Sequence, residues 1–173
     1  MSETEPVLEL NPSPDSVVEI VKKLVDEPWP RSDEEREILF ANLGFKSGSR
    51  YELENEESPH QMTDLDIGLG GQTPGSSDTY NKEFLGVSVH LYGTQESGDP
   101  AAQSGFNNLR MQLTELFGKP DHPWDNEETP PCIWEANGRT ITTHLFNRRD
   151  SSVMLSVEDS ALAASVEADS ISS

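Results

Sequence analysis

Cysteine is almost absent from this chain, since Cys132 is the only one among 173 residues. One cysteine cannot form an intramolecular disulfide, which excludes a small secreted fold held by disulfides. No apolar run approaches the roughly 20 residues that cross a bilayer. Residues 1–6 are acidic and lack the basic start and apolar stretch of a signal peptide. We therefore expect a cytoplasmic protein.

Basic residues are also scarce. Twelve Lys and Arg stand against 32 Asp and Glu, so the formal net charge is −20 and the sequence pI is about 4.3. A chain of this charge is poorly suited to nucleic acid or to anionic membranes, and we expect neither as a partner. It would attract a basic protein. Solubility, or adaptation to a salt-rich host, remains an alternative explanation of the acidity.

Three segments have the pattern of helices. Ser13 can cap a helix over 13–27, with Pro14 at its first position. The sequence 32–35 is a capping box that opens a second helix ending at Gly44. Asp99 precedes a third helix that ends near Gly118. Apolar residues recur at three- and four-residue spacing in the first of these helices: Val17, Ile20, Val21, Leu24 and Val25.

The remaining segments predict strands. We expect strands near 49–54, 63–69 and 84–92, with a mobile loop at 70–81 that is rich in Gly, Ser, Thr and Pro. The pair Asn137-Gly138 predicts a hairpin of strands 132–136 and 139–146, followed by a strand at 153–157. The chain is thus predicted to be α+β: a two-layer sandwich with an antiparallel sheet of about five to six strands and helices on one face, in the order α-α-β-β-β-α-β-β-β.

The predicted organisation is one domain at 13–158. Residues 1–12 are expected to be a flexible acidic arm, and 159–173 a tail that is either a short helix or disordered. Trp29 and Trp134 are expected in the core. Trp124 lies in a polar loop and is the aromatic residue that we expect at a binding surface.

No pattern in the chain has the spacing of a catalytic or metal site. The glycine-rich run at 68–75 fits no phosphate-binding motif, and the four histidines are scattered. Asp64 and Asp66 lack the later glutamate of a calcium loop. Cys132 and His144 would lie across one hairpin, but a buried cysteine is more often a small apolar residue. We expect no enzyme, cofactor or metal; a small enzyme or ligand-binding domain remains a minor alternative.

Two stretches, 52–81 and 120–138, contain seven and five acidic residues respectively and no Lys or Arg. A solvated surface normally mixes charges of both signs, so these stretches predict a negative docking surface. The partner-binding residues predicted on this basis are Glu52, Glu54, Glu56, Glu57, Asp64, Asp66, Trp124, Asp125, Glu127 and Glu128.

Several short motifs in order resemble a family of small uncharacterised actinobacterial proteins from polymorphic-toxin gene neighbourhoods. They are the corner at 28–30, the helix end at 43–45, the helix stop at 116–120, the strand around Trp134, and the segments 145–148 and 153–157. The resemblance covers about 14–158 and carries over no catalytic residue. It implies a monomeric immunity protein that binds and neutralises a cognate secreted toxin, whose cleft we expect to be basic.

The order of elements is also similar to that of acidic secretion chaperones, which are homodimers that hold an effector before export. Such chaperones end in two strands and a closing helix. Here a third final strand is predicted, and the segment 159–170 is only weakly apolar. The chaperone role is therefore the alternative to the immunity role.

Overall fold

Capping residues begin and end the helices where the sequence predicts. The computed structural model describes residues 12–50, 60–69, 74–94, 100–122, 130–146 and 151–172. The Ser13 side chain accepts a hydrogen bond from the Ser16 amide, and the Ser32 hydroxyl accepts one from the Glu35 amide. Gly44 ends the second helix with a left-handed φ of 77°.

The described chain forms four helices and seven strands. In chain order they are α1 (Pro14–Asp26), α2 (Asp33–Leu43), β1 (Lys46–Arg50), β2 (His60–Asp66), β3 (Gly75–Tyr80), β4 (Glu83–Thr94), α3 (Pro100–Phe117), β5 (Cys132–Ala136), β6 (Arg139–Phe146), β7 (Ser151–Asp159) and α4 (Ser160–Ser172). The order is α-α-β-β-β-β-α-β-β-β-α, and the predicted α+β class is confirmed.

All seven strands form one open antiparallel sheet in the order β1-β2-β3-β4-β7-β6-β5. Each half is a run of neighbouring strands, and the two halves meet where β4 pairs with β7. The predicted hairpin of β5 and β6 is confirmed, with Asn137 and Gly138 both at positive φ in its turn.

The prediction of a loop at 70–81 is wrong over its second half, and the sheet has seven strands rather than five or six. The missed strand is β3, whose sequence GSSDTY has little β propensity. Its backbone is hydrogen-bonded on both sides, by β2 and by β4, and this pairing overrides the local preference. The first strand also begins earlier than the predicted 49–54, and residues 51–54 lie outside the described part.

The core lies between one face of the sheet and the helices α1 and α3. Val21, Phe106, Leu109 and Ile141 are fully buried there. Trp134 is also buried, and its Nε1 donates a 2.9 Å hydrogen bond to the Gly118 carbonyl that follows α3. Burying apolar surface on one side of the sheet leaves the alternate residues of each strand on the opposite side.

The predicted tail contains α4. The Asp159 carboxylate accepts a 3.1 Å hydrogen bond from the Leu162 amide and so caps this helix. None of the helices in the described ranges combines the length and apolar character needed to span a bilayer.

Candidate functional site

The side of the sheet opposite the core carries mostly polar side chains. They alternate with core residues along each strand; on β7, for example, Met154, Ser156 and Glu158 alternate with the buried Val153, Leu155 and Val157. We call this side the polar face. Its polar residues, with Met154 among them, are Asp64, Asp66, Ser76, Asp78, Ser88, His90, Glu135, Thr140, Thr142, His144, Met154, Ser156 and Glu158. The apolar Met62, Ile133 and Phe146 lie on the same side.

The middle of the polar face is a row of small hydroxyl side chains. Strand register places Asp64 opposite Ser76, Ser76 opposite Ser88, Ser88 opposite Ser156, and Ser156 opposite Thr142. Five residues on adjacent strands span about 19 Å. Serine and threonine side chains are short, so the row is level; Ser88 and Thr142 are half-buried in it, whereas Ser76 and Ser156 are buried. A level surface of this kind suits contact with another macromolecule better than enclosure of a small substrate.

A second row is acidic. Asp78 lies opposite Gly86, Gly86 opposite Glu158, and Glu158 opposite Thr140, which in turn lies opposite Glu135. Three carboxylates from positions 78 to 158 therefore share one line across the sheet, of which that of Asp78 is buried and accepts a 3.1 Å hydrogen bond from the Ser76 hydroxyl. None of the three is among the predicted contact residues. Their alternation along each strand is visible in the sequence, but the register between distant strands is not.

The third row contains two histidines. Met154 on β7 lies between them, opposite His90 on β4 and opposite His144 on β6. The His144 ring packs on Phe146 with 4.3 Å between ring centroids. The described residues contain no group of three or more His, Cys, Asp or Glu side chains arranged to hold a metal ion.

Only two of the predicted contact residues fall in the described chain, and both lie on the polar face. Asp64 is half-buried and Asp66 is exposed, and the Asp66 carboxylate accepts a 2.9 Å hydrogen bond from the Gly68 amide. The other eight lie outside the described residues: Glu52, Glu54, Glu56, Glu57, Trp124, Asp125, Glu127 and Glu128.

The stretch 52–81 lacks cations in sequence, but strand pairing brings one next to it. Lys46 on β1 lies directly opposite Asp66 on β2. Asp64, two residues earlier, is instead opposite Ser76 on β3, and on its β1 side it lies next to Gly48, where an added Cβ would come within 3.0 Å of the Asp64 Cβ. Asp64 is therefore the better representative of the predicted negative surface, because its registered partner is Ser76 rather than a lysine.

The Cys132–His144 pair is not formed. Cys132 lies opposite Thr143 and is buried on the core side, whereas His144 lies on the polar face. The imidazole near the thiol is that of His122, with Nδ1 4.0 Å from Sγ. Nδ1 also lies 3.0 Å from the Pro131 carbonyl, an acceptor, so this nitrogen carries its proton and is not free to act as a base.

The electrostatic environment of Cys132 also disfavours a nucleophile. Burial raises the pKa of the Cys132 thiol, and this effect is larger than the opposing effects of the Arg110 charge and of the Thr143 side chain. A thiol with a raised pKa is largely protonated at neutral pH and is a weak nucleophile. Cys132 is therefore part of the core rather than of a reactive site.

Comparison of the chain with protein-family models, with curated proteins and with solved structures finds no match.

Proposed function

We propose that this protein acts without catalysis, by binding another protein through the polar face. The partner proposed is a cognate secreted toxin with a basic surface or cleft, which makes the chain an immunity protein. The observation that carries this proposal is the alignment of a hydroxyl row beside an acidic row. Ser88 and Thr142 are the partly exposed hydroxyl residues, and Glu135 and Glu158 are the carboxylates that remain at least partly exposed. Hydroxyls supply adaptable hydrogen bonds, and the carboxylates select a cationic partner.

The dimensions of the polar face support this role. The longest rows cross five strands, about 19 Å, and the three rows extend about 14 Å along the strands, so the rows offer on the order of 270 Å². A standard interface buries about 800 Å² on each partner. The polar face is thus large enough to form the centre of an interface that neighbouring segments complete.

The net charge of −20 adds a long-range electrostatic attraction towards a basic partner. Unlike charges on two proteins accelerate their encounter, and this acceleration falls as salt screens the field. We therefore expect fast association with a basic partner at low ionic strength. The same field repels nucleic acid and anionic membranes, which agrees with a protein partner inside the cell.

The immunity role is tested by the neighbouring gene. If it encodes a large secreted protein with a C-terminal toxin domain, co-expression of this chain should restore growth to cells that produce the domain. The two purified proteins should form a stoichiometric complex. A toxin domain that remains active and unbound in the presence of this chain would contradict the proposal.

The role of the polar face is tested separately on that complex. The variant Asp64→Asn/Glu135→Gln/Glu158→Gln removes three carboxylates from the polar face. We expect it to lower the association rate about tenfold at low salt and to weaken the dependence of this rate on salt. The matched control, Asp33→Asn/Glu34→Gln/Glu37→Gln, removes three exposed carboxylates from α2. Equal effects of the two variants would place the docking surface elsewhere.

A chaperone remains the second candidate, and α4 is the specific observation in its favour. Such chaperones end in a helix, and the sequence left open whether residues 159–173 form one. The structure has a helix there, α4. Three strands nevertheless precede α4, one more than such chaperones have. A chaperone would be a dimer with an apolar contact surface, for which exposed Ile38, Met111 and Phe146 are the candidate positions. Light scattering decides, since a monomer at working concentration contradicts the chaperone role.

A further inference from the structure

A cleft with a volume of about 250 Å³ lies away from the polar-face rows, where three segments of the chain meet. The segments are the connection from α1 to α2, the turn between β3 and β4, and the junction of β7 with α4. Arg31, Arg36 and Lys82 line it with cationic side chains, and Pro30, Phe84 and Leu162 line it with apolar ones. We call these six residues the basic cleft.

The basic cleft has an unusual charge for this molecule. Three of the twelve Lys and Arg of the chain line it together with three carboxylates, those of Asp33, Glu83 and Asp159, so its lining has no net formal charge, against −20 for the whole chain. Of the carboxylates that also line it, Asp159 caps α4 through one oxygen and has its other oxygen 4.0 Å from Arg31 Nη2. Asp33 is largely exposed and lies 3.3 Å from Arg36 Nη2, and Glu83, which follows Lys82 in the chain, is also exposed.

Lys82 occupies a backbone position that favours glycine. Asn81 and Lys82 have φ values of 51° and 69°, as in a type I′ turn, in which the second residue is preferably glycine. The hairpin of β5 and β6 has that preferred pair, Asn137-Gly138, in the equivalent turn. Within the described residues Lys82 forms no ion pair closer than 4.0 Å. Its ammonium group is thus available to a ligand in the basic cleft.

Two helices begin at the basic cleft. Ser32 and Asp33 at the start of α2, and Ala161 and Leu162 at the start of α4, all contribute to its lining. The amino end of a helix carries a partial positive charge and favours anions.

We propose that the basic cleft binds a phosphate group, either as free inorganic phosphate or as part of a small phosphate ester. Arg36 and Lys82 contact the phosphate oxygens, Arg31 closes the rim, and Pro30, Phe84 and Leu162 contact the organic part of an ester. The planar guanidinium group forms paired hydrogen bonds with phosphate, so a phosphate dianion competes with Asp159 for Arg31 and with Asp33 for Arg36. The carboxylates outside the cleft oppose binding only weakly, because the Debye length at physiological salt is about 8 Å, and the three carboxylates in its lining are balanced by its three cations.

The test is a titration of the full chain followed by amide NMR shifts, with inorganic phosphate and with glycerol phosphate as separate probes. Ionic strength is held constant with sodium chloride. We expect saturable shifts at 31–36, 82–84 and 159–165. Glycerol phosphate binding more tightly than inorganic phosphate identifies an ester as the preferred form, and equal affinities identify free phosphate; both results support the proposal.

Lys82→Gly is the decisive variant, because it removes the charge and places the preferred residue in the turn. It should be at least as stable as the parent chain, so a lost affinity cannot be ascribed to lost folding. We expect it to weaken phosphate binding about fivefold, and Arg36→Gln to do the same. The control Lys46→Gln removes an exposed lysine at the edge strand β1 and should leave the affinity unchanged.

The proposal is overturned by any of three results. They are the absence of saturable shifts, shifts spread over the surface rather than confined to the basic cleft, and equal weakening by Lys82→Gly and Lys46→Gln. The polar face plays no part in this titration, so its outcome is independent of the proposed binding to a toxin.

Discussion

The guanidinium of Arg139 lies over the ring of Trp29, with its carbon 5.2 Å from the ring centroid. Trp29 is itself stacked on Phe84 at 4.7 Å between centroids, so the cation completes a layer that joins the end of α1 to β4. Arg139 also donates hydrogen bonds to the carbonyls of Asn137 and Glu27, both at 2.6 Å. One buried side chain thus connects α1 to the hairpin of β5 and β6.

Removal of this side chain is expected to be costly. Arg139→Ala leaves two carbonyls without their donors and exposes one face of Trp29, so we expect a loss of about 3 kcal/mol in the free energy of unfolding. Arg110→Ala is the control, since Arg110 is exposed and lies 6.0 Å from the Phe106 ring; it should cost less than about 1 kcal/mol. Urea unfolding followed by tryptophan fluorescence measures both, and similar losses would contradict the role assigned to Arg139.

Stability should fall at high pH because of Tyr92. Burial raises the pKa of Tyr92 from 10.0 to about 12, and its hydroxyl donates a 2.7 Å hydrogen bond to the Pro12 carbonyl. A raised pKa means that the unfolded chain loses this proton first. The contribution to stability is therefore complete below pH 10 and is lost as the pH rises towards 12, by up to about 2 kcal/mol. Urea midpoints at pH 8, 10 and 11 measure the decline.

The variant Tyr92→Phe isolates that effect. It lacks the ionisable group, so its stability should decline less steeply between pH 10 and 11 than that of the parent chain, even though it is less stable at pH 8 for want of the hydrogen bond. Parallel declines would assign the pH dependence to other groups.

The two type I′ turns, at 81–82 and 137–138, have lysine and glycine respectively at their second position, and these two residues can be exchanged. Lys82→Gly should raise the free energy of unfolding by about 1 kcal/mol, because a left-handed backbone is unfavourable for a residue with a Cβ. Gly138→Lys should lower it by a similar amount, since Gly138 has a φ of 76° and no neighbouring atom within 4 Å of an added Cβ. Thermal unfolding measures both changes. Shifts of the same sign would show that the backbone conformation is not the cause.

Gly105 lets α3 approach the sheet closely. A Cβ added there would overlap the ring of Tyr92, so Gly105→Ala should destabilise the chain by about 2 kcal/mol, although alanine normally favours a helix. Gly93→Ala places the same methyl group where nothing lies within 4 Å and should change stability by less than about 0.5 kcal/mol. Equal effects of the two substitutions, measured by urea unfolding, would rule out the steric explanation.

Local signals in the sequence predicted most elements of this fold. The caps Ser13, Ser32 and Gly44 and the pair Asn137-Gly138 each act through nearby backbone, so a short window contains the whole cause. The strand β3 was missed because its cause is not local: small polar residues extend there only because strands on both sides pair with them.

Less of the candidate site could be predicted from the sequence, for the same reason. The acidity of 52–81 and 120–138 was visible, but the acidic row of the polar face depends on the register between β4 and β7, where Gly86 meets Glu158. A contact across 72 positions leaves no trace in a single sequence. The hairpin also placed Cys132 and His144 on neighbouring strands, and only the register shows that they face opposite sides.

The central pairing of β4 with β7 has a consequence for synthesis on the ribosome. Strands β1 to β4 emerge first, and β4 ends at Thr94, whereas β7 begins only at Ser151. At typical elongation rates this interval lasts about 3–12 s, during which one long edge of β4 has no partner. Unpaired edges recruit other strands, so the nascent chain is most vulnerable to aggregation in this interval. Synonymous codons that slow translation between β4 and β7 would prolong the exposure and lower the soluble yield.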